Sequence, residues 1–154
     1  MTNKQYEVKE FLSSLKFAEK MIEIKLEKIE ETRELGLRVN CVLRPDKVSS
    51  GGRQVNIVEE TALKVVELTK QLEKQVDDYR WLQKKVMELI ESVPDDLSKK
   101  VLELRYIHFM KWEKIIETMN FVERHIMRLH VKGLDYISKT LKYNCLRKSV
   151  NVSK

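Results

Sequence analysis

Residues 111–134 read KWEKIIETMNFVERHIMRLHVKGL, and the fold of this chain is decided there. Ile115, Ile116 and Met119 make the apolar face of a short helix. Asn120 follows, a residue that tolerates the left-handed backbone a sharp turn needs, and Phe121 is placed to plug the corner. Ile126 and Leu129 restart an apolar face at helical spacing, continued by Leu134, Ile137 and Leu141. Two short helices across a tight turn, the second rich in arginine, predict a helix-turn-helix. Any helical hairpin needs a similar face, so periodicity alone does not decide between the two.

Charge adds an independent signal. The chain carries 30 Lys+Arg against 24 Asp+Glu, net +6. Residues 1–120 hold 22 basic and 22 acidic residues and sum to zero. Residues 121–154 hold Arg124, Arg128, Lys132, Lys139, Lys142, Arg147, Lys148 and Lys154 against Glu123 and Asp135, which is the whole excess. Arg124, Arg128 and Lys132 are four apart and stack on one helical face. Their mutual repulsion costs a few tenths of a kcal/mol per pair, and a polyanion relieves it. The plainer alternative is a solvated basic face with a frayed tail.

Outward from this region the pattern stays helical. From Pro94, Asp95 or Asp96 caps a helix that runs to about Phe109, with Leu97, Val101, Leu104 and His108 on one stripe. His108 reads as a packed or surface residue, and Trp112 as a cover for the tri-helical core. Between about Ile57 and Val93, Val58, Val65, Leu72, Tyr79, Val86 and Val93 are seven apart and predict a second long helix. From Tyr6 to about Leu35, Val8, Leu15, Ile22 and Ile29 do the same, with Gly36 placed to end that helix. Residues 36–56 lose periodicity and contain RPDKVSSGGR, which reads as a flexible connection. The expected fold is all-α. A long antiparallel, coiled-coil-like hairpin over 1–93 serves oligomerisation or partner binding. A helix-turn-helix domain occupies 94–143, and 144–154 form a basic tail.

Several function classes are disfavoured. Carboxylates interleave with lysines on helix faces, no nucleophile has a visible base, and no glycine-rich phosphate loop exists, so an enzyme is not expected. Cys41 and Cys145 lack metal-ligand spacing, and His108, His125 and His130 form no ligand cluster, so neither metal nor cofactor is expected. Two isolated thiols fit a reducing cytoplasm. The first residues, MTNKQYEVKEFLSS, do not read as a secretory signal, and no apolar run approaches a membrane span.

The segment VLELRYIHFMKWEKIIETMNFVERHIMRLHVKGLDYI resembles region four of bacterial sigma factors. Val101-Leu102-Glu103-Leu104-Arg105-Tyr106 matches the first helix of that pattern, Glu113 to Phe121 the second, and Glu123 to Leu134 the basic recognition helix. Ile116 stands where a small Ala is usual, Asn120 where Gly is usual, and Val122 where a capping Ser or Thr is usual. With its two long helices the chain is similar to the ArpU and RinA-type late-gene activators of phages of Gram-positive bacteria. The specific motifs cover only the last third. The resemblance implies a phage or prophage transcription activator in the bacterial cytoplasm that binds double-stranded DNA and acts with host RNA polymerase. Two helical seams seldom bury everything, so the hairpin is expected to serve self-association as a homodimer or contact with polymerase. Nothing resembling the sigma region that melts promoter DNA is present.

The resemblance also implies a reading face. Ile126 and Leu129 must face the core, which leaves Glu123, Arg124, Met127 and Arg128 outward, at the positions with which sigma region four reads bases. Arg donates two hydrogen bonds to a guanine edge, Glu accepts from cytosine, and Met touches a thymine methyl. Lys132 and His130, farther along, are expected at phosphates. Two other readings stand beside this one: a sigma-like protein that binds polymerase without reading DNA, and a DNA-recognition subunit of a phage packaging machine.

Overall fold

The computed structural model describes residues 2–42 and 51–141. Among these residues the chain is all-helical: α1 (Asn3–Val42), α2 (Gly51–Glu91), α3 (Asp96–Tyr106), α4 (Trp112–Met119) and α5 (Glu123–Thr140). Residues 43–50, and the tail with Cys145, lie outside the described residues.

The long helices exceed their expected ends. Gly36 does not terminate α1, which continues to Val42, and α2 already starts at Gly51. The reason is spatial: a Cβ on Gly36 would lie 3.0 Å from Thr61 Cγ2, so glycine there admits the close approach of α2.

The chain forms two compact units that do not divide at Pro94. One comprises residues 18–79. Within it α1 and α2 run antiparallel: Lys25 Nζ donates to Gln71 Oε1 at 3.1 Å, and Gly36 lies beside Thr61. The expected seam residues Val58, Val65, Leu72 and Tyr79 are half-buried here, as is Ile22, while Ile29 is buried. Burial, then the nearby Glu19 carboxylate, raises the Tyr79 phenol above its ordinary pKa.

The other unit comprises residues 1–17 and 80–154. Its core draws on Val8, Leu12 and Leu15 of α1, Val86 and Ile90 of α2, Val93, and the inner faces of α3–α5. Val8, Leu12 and Leu15 recur at four- and three-residue spacing, as one buried helical face requires. The short helices therefore fold as one unit with the first turns of α1 and the last turns of α2.

Candidate nucleic-acid interface

Local chemistry sets the three short helices. Asp95 caps α3 in extended conformation, accepting from Ser98 N at 3.0 Å and from the Ser98 hydroxyl. α3 stops at Tyr106, earlier than the expected Phe109, because Phe109 takes a positive φ of 51°. The loop closes through Met110 N to Leu104 O at 2.9 Å and Arg105 Nη1 to Met110 O at 2.8 Å. α4 ends on Asn120 in the left-handed conformation, φ 54° and ψ 40°, as its sequence predicts.

A tight apolar centre holds α3, α4 and α5 in place. Val101, Leu104, Ile115, Ile126 and Leu129 form it, with Met110, Trp112, Ile116 and Met119 packed against it. Trp112 covers this core, as its sequence position suggested. Phe121 does not plug the corner: it is exposed and meets the His125 ring edge-on at 4.9 Å. A Cβ on Gly133 would lie 2.7 Å from Leu102 Cδ1, so α5 crosses α3 at close range. From α1, Gln5 Nε2 donates to Asp135 Oδ1 at 3.1 Å and ties the first turn of that helix to α5.

The face expected to read DNA forms in part. Glu123, Arg124 and Arg128 are exposed on the first turns of α5, and Met127 is half-buried beside them. Among the described residues Arg124 and Arg128 make no ion pair, so both guanidinium forks remain open to an incoming acceptor. Val122, the N-cap of α5, makes no side-chain cap bond and is 73% exposed. Its carbonyl accepts from His125 N at 2.9 Å and Ile126 N at 3.2 Å.

Lys132 continues the basic stripe but is engaged. Its ammonium lies 3.0 Å from Asp95 Oδ1, binding α5 to the cap of α3, while most of its side chain stays exposed. The Ser98 hydroxyl, then the Lys132 ammonium, hold the Asp95 carboxyl below the ordinary carboxylate range.

His130, expected at a phosphate, is instead a core residue. It is 4% exposed, its Nε2 lies 2.9 Å from the Tyr106 hydroxyl, its ring stacks on Tyr106, and Trp112 meets it edge-on at 5.0 Å. Burial first, then the charges of Lys9 and Arg105, push its pKa down to about 4, while burial pushes Tyr106 up to about 12. A neutral, enclosed imidazole supplies no cation to DNA. The signal was present: His130 lies four residues after Ile126 and four before Leu134, inside the apolar stripe. The ties from Gln5 to Asp135 and from Asp95 to Lys132 had no such signal, because these partners are 130 and 37 residues apart.

No family model, curated protein or solved structure matches the chain. Among the described residues no group of His, Cys, Asp and Glu could hold a metal ion, and no helix is long and apolar enough to cross a membrane.

Proposed function

We propose that the protein is a sequence-specific, double-stranded-DNA-binding transcription regulator of the phage late-gene activator type, without enzymatic activity, acting with host RNA polymerase. The observation that carries this reading is the pair of open arginines, Arg124 and Arg128, one turn apart at the start of the second helix of a well-packed helix-turn-helix. Charge distribution supports it. The unit holding α5 has 19 basic and 11 acidic residues, net +8, whereas residues 18–79 have 11 basic and 13 acidic, net −2. The positive field therefore belongs to the unit that would meet phosphate.

In this mechanism α5 enters the major groove with its first turns. Arg124 and Arg128 donate to guanine edges, Glu123 accepts from cytosine, and Met127 lies against a thymine methyl. The buried apolar centre and the Gln5–Asp135 bond hold the reading residues at fixed spacing.

The test is a titration of a duplex enriched from a random pool against its scrambled counterpart, at two salt concentrations. Arg124→Ala or Arg128→Ala should cost about 1–3 kcal/mol on the enriched duplex and relax base preference. Equal losses on both duplexes would sink the base-reading assignment.

A second reading draws on Phe121 and Val122, two apolar side chains exposed at the turn. There they would seat a protein partner, and the domain would bind polymerase without reading DNA. Affinity for polymerase combined with flat, weak binding to every duplex would favour that reading.

A further inference from the structure

The helix that carries Arg124 and Arg128 rests on α3 through a glycine. A Cβ on Gly133 would lie 2.7 Å from Leu102 Cδ1 and 3.5 Å from Ser98 Cβ, so at the crossing α5 presents backbone and no side chain to key into α3. The apolar side chains around it decide which face of α5 is buried, but apolar attraction is non-directional. Reading a base edge asks for more, a placement held within about 10–20°. Directional bonds between elements supply that.

Lys132 makes such a bond. Its ammonium lies 3.0 Å from Asp95 Oδ1, across 37 residues of sequence, whereas the pairs Lys100–Glu103, Lys114–Glu117 and Lys139–Asp135 each stay within one helix. The acceptor is itself fixed. Asp95 Oδ2 accepts from Ser98 N and from the Ser98 hydroxyl, and Ser98 is fully buried. One turn further along α5, Asp135 is tied to Gln5 of α1. Lys132 is therefore joined to a rigid point on α3, immediately beside the Gly133 contact.

Lys132 also turns away from the reading residues. Each four-residue step advances about 40° beyond a full turn, so Lys132 lies about 80° around the axis and about 12 Å along it from Arg124. A phosphate brought to Lys132 would meet the Asp95 carboxylate beside the same ammonium, and a paired charge attracts a polyanion less than an open one.

We propose that Lys132 is a positioning residue: its ion pair with Asp95 fixes the rotation of α5 on α3, so that Arg124 and Arg128 meet the bases at one pitch, and it holds no phosphate. This rests on the DNA-reading function proposed above.

The experiment titrates the full chain with the enriched duplex and its scrambled counterpart at two salt concentrations. Lys132→Met should lower the preference for the enriched duplex about threefold, the scale of one partly exposed ion pair, with the salt slope unchanged. Asp95→Asn keeps a capping oxygen for Ser98 N and should lower the preference equally, although it removes a negative charge that repels DNA. The double variant should lose no more than either single one, since both break the same bond. Lys132→Arg keeps the pair and should keep the preference. Circular dichroism of each variant should match the wild type. A phosphate contact gives the opposite pattern: Lys132→Met weakens both duplexes alike and lowers the salt slope by about one, and Asp95→Asn raises affinity by freeing the ammonium. That pattern, or additive losses in the double variant, would overturn the proposal while leaving base reading intact. A wild type that binds both duplexes equally would remove the reading function itself, and the positioning role with it.

Discussion

His130 shows how one residue can carry two readings that only its surroundings separate. It lies near three cations in sequence, which suggests phosphate contact, and at core spacing in the helix, which suggests burial. Desolvation wins, and the imidazole is held neutral against Tyr106 and Trp112. This makes stability pH-dependent in a definite direction. The folded pKa of about 4 lies below the ordinary 6.5, so the folded state disfavours the proton. The stabilisation is full above pH 6.5 and is lost as pH falls toward 4, where only the unfolded chain takes up the proton. The unfolding free energy should fall by up to 1.4 kcal/mol per pH unit in that window, at the linkage rate of about 1.36 kcal/mol per unit. His130→Gln should flatten this slope, since it keeps a polar group for Tyr106 and does not titrate. Denaturant unfolding of both proteins at pH 7 and pH 5 measures it, and parallel slopes would count against the buried-histidine account. Asn120 is simpler, since Asn120→Val forces a β-branched side chain into the left-handed region and should cost about 1–2 kcal/mol in the same assay.

Among the elements, legibility followed locality. The bounds of α4 and α5 were readable because their stop and start signals, Asn120 and the renewed apolar face at Ile126, are local in sequence. The cap of α3 was readable for the same reason, since Asp95 acts on Ser98 three residues away. The end of α1 was not, because Gly36 serves a neighbour. Gly36 marks a close approach to Thr61, a fact that depends on the pairing of two distant segments. Gly133 behaves alike at the α3–α5 crossing and gives a sharp test. Alanine gains about 1 kcal/mol of helix propensity over glycine. Its Cβ would meet Leu102 Cδ1 at 2.7 Å and Leu102 Cγ at 3.3 Å, and Leu102 is fully buried, so its side chain must shift within the core. Overpacking of this kind costs about 1–3 kcal/mol, so Gly133→Ala should be destabilising by about 1 kcal/mol net. Thermal melts decide the sign; an alanine variant as stable as the wild type would show that the helices separate easily.

For the whole molecule, the sequence pattern suggested one division and the contacts another. Hydrophobic period and Pro94 mark where a long helix stops, but they do not say which turns share a core. The answer depends on burial of Val8, Leu12 and Leu15 at one end of α1 and of Val86 and Ile90 near the end of α2, in the same compact unit as α3–α5. A fragment of residues 94–154 keeps the Val101/Leu104/Ile115/Ile126/Leu129 centre but lacks all five of those side chains, and also the Gln5 bond to Asp135. Each buried aliphatic side chain contributes about 1.5–3 kcal/mol, so their joint loss is comparable with the whole stability of a small domain. The fragment should therefore melt without a cooperative transition and bind DNA weakly, whereas the full chain melts cooperatively. Calorimetry of both tests this. A fragment that unfolds in one sharp transition near the full chain's temperature would show that the helix-turn-helix stands alone and that α1 and α2 add nothing to it.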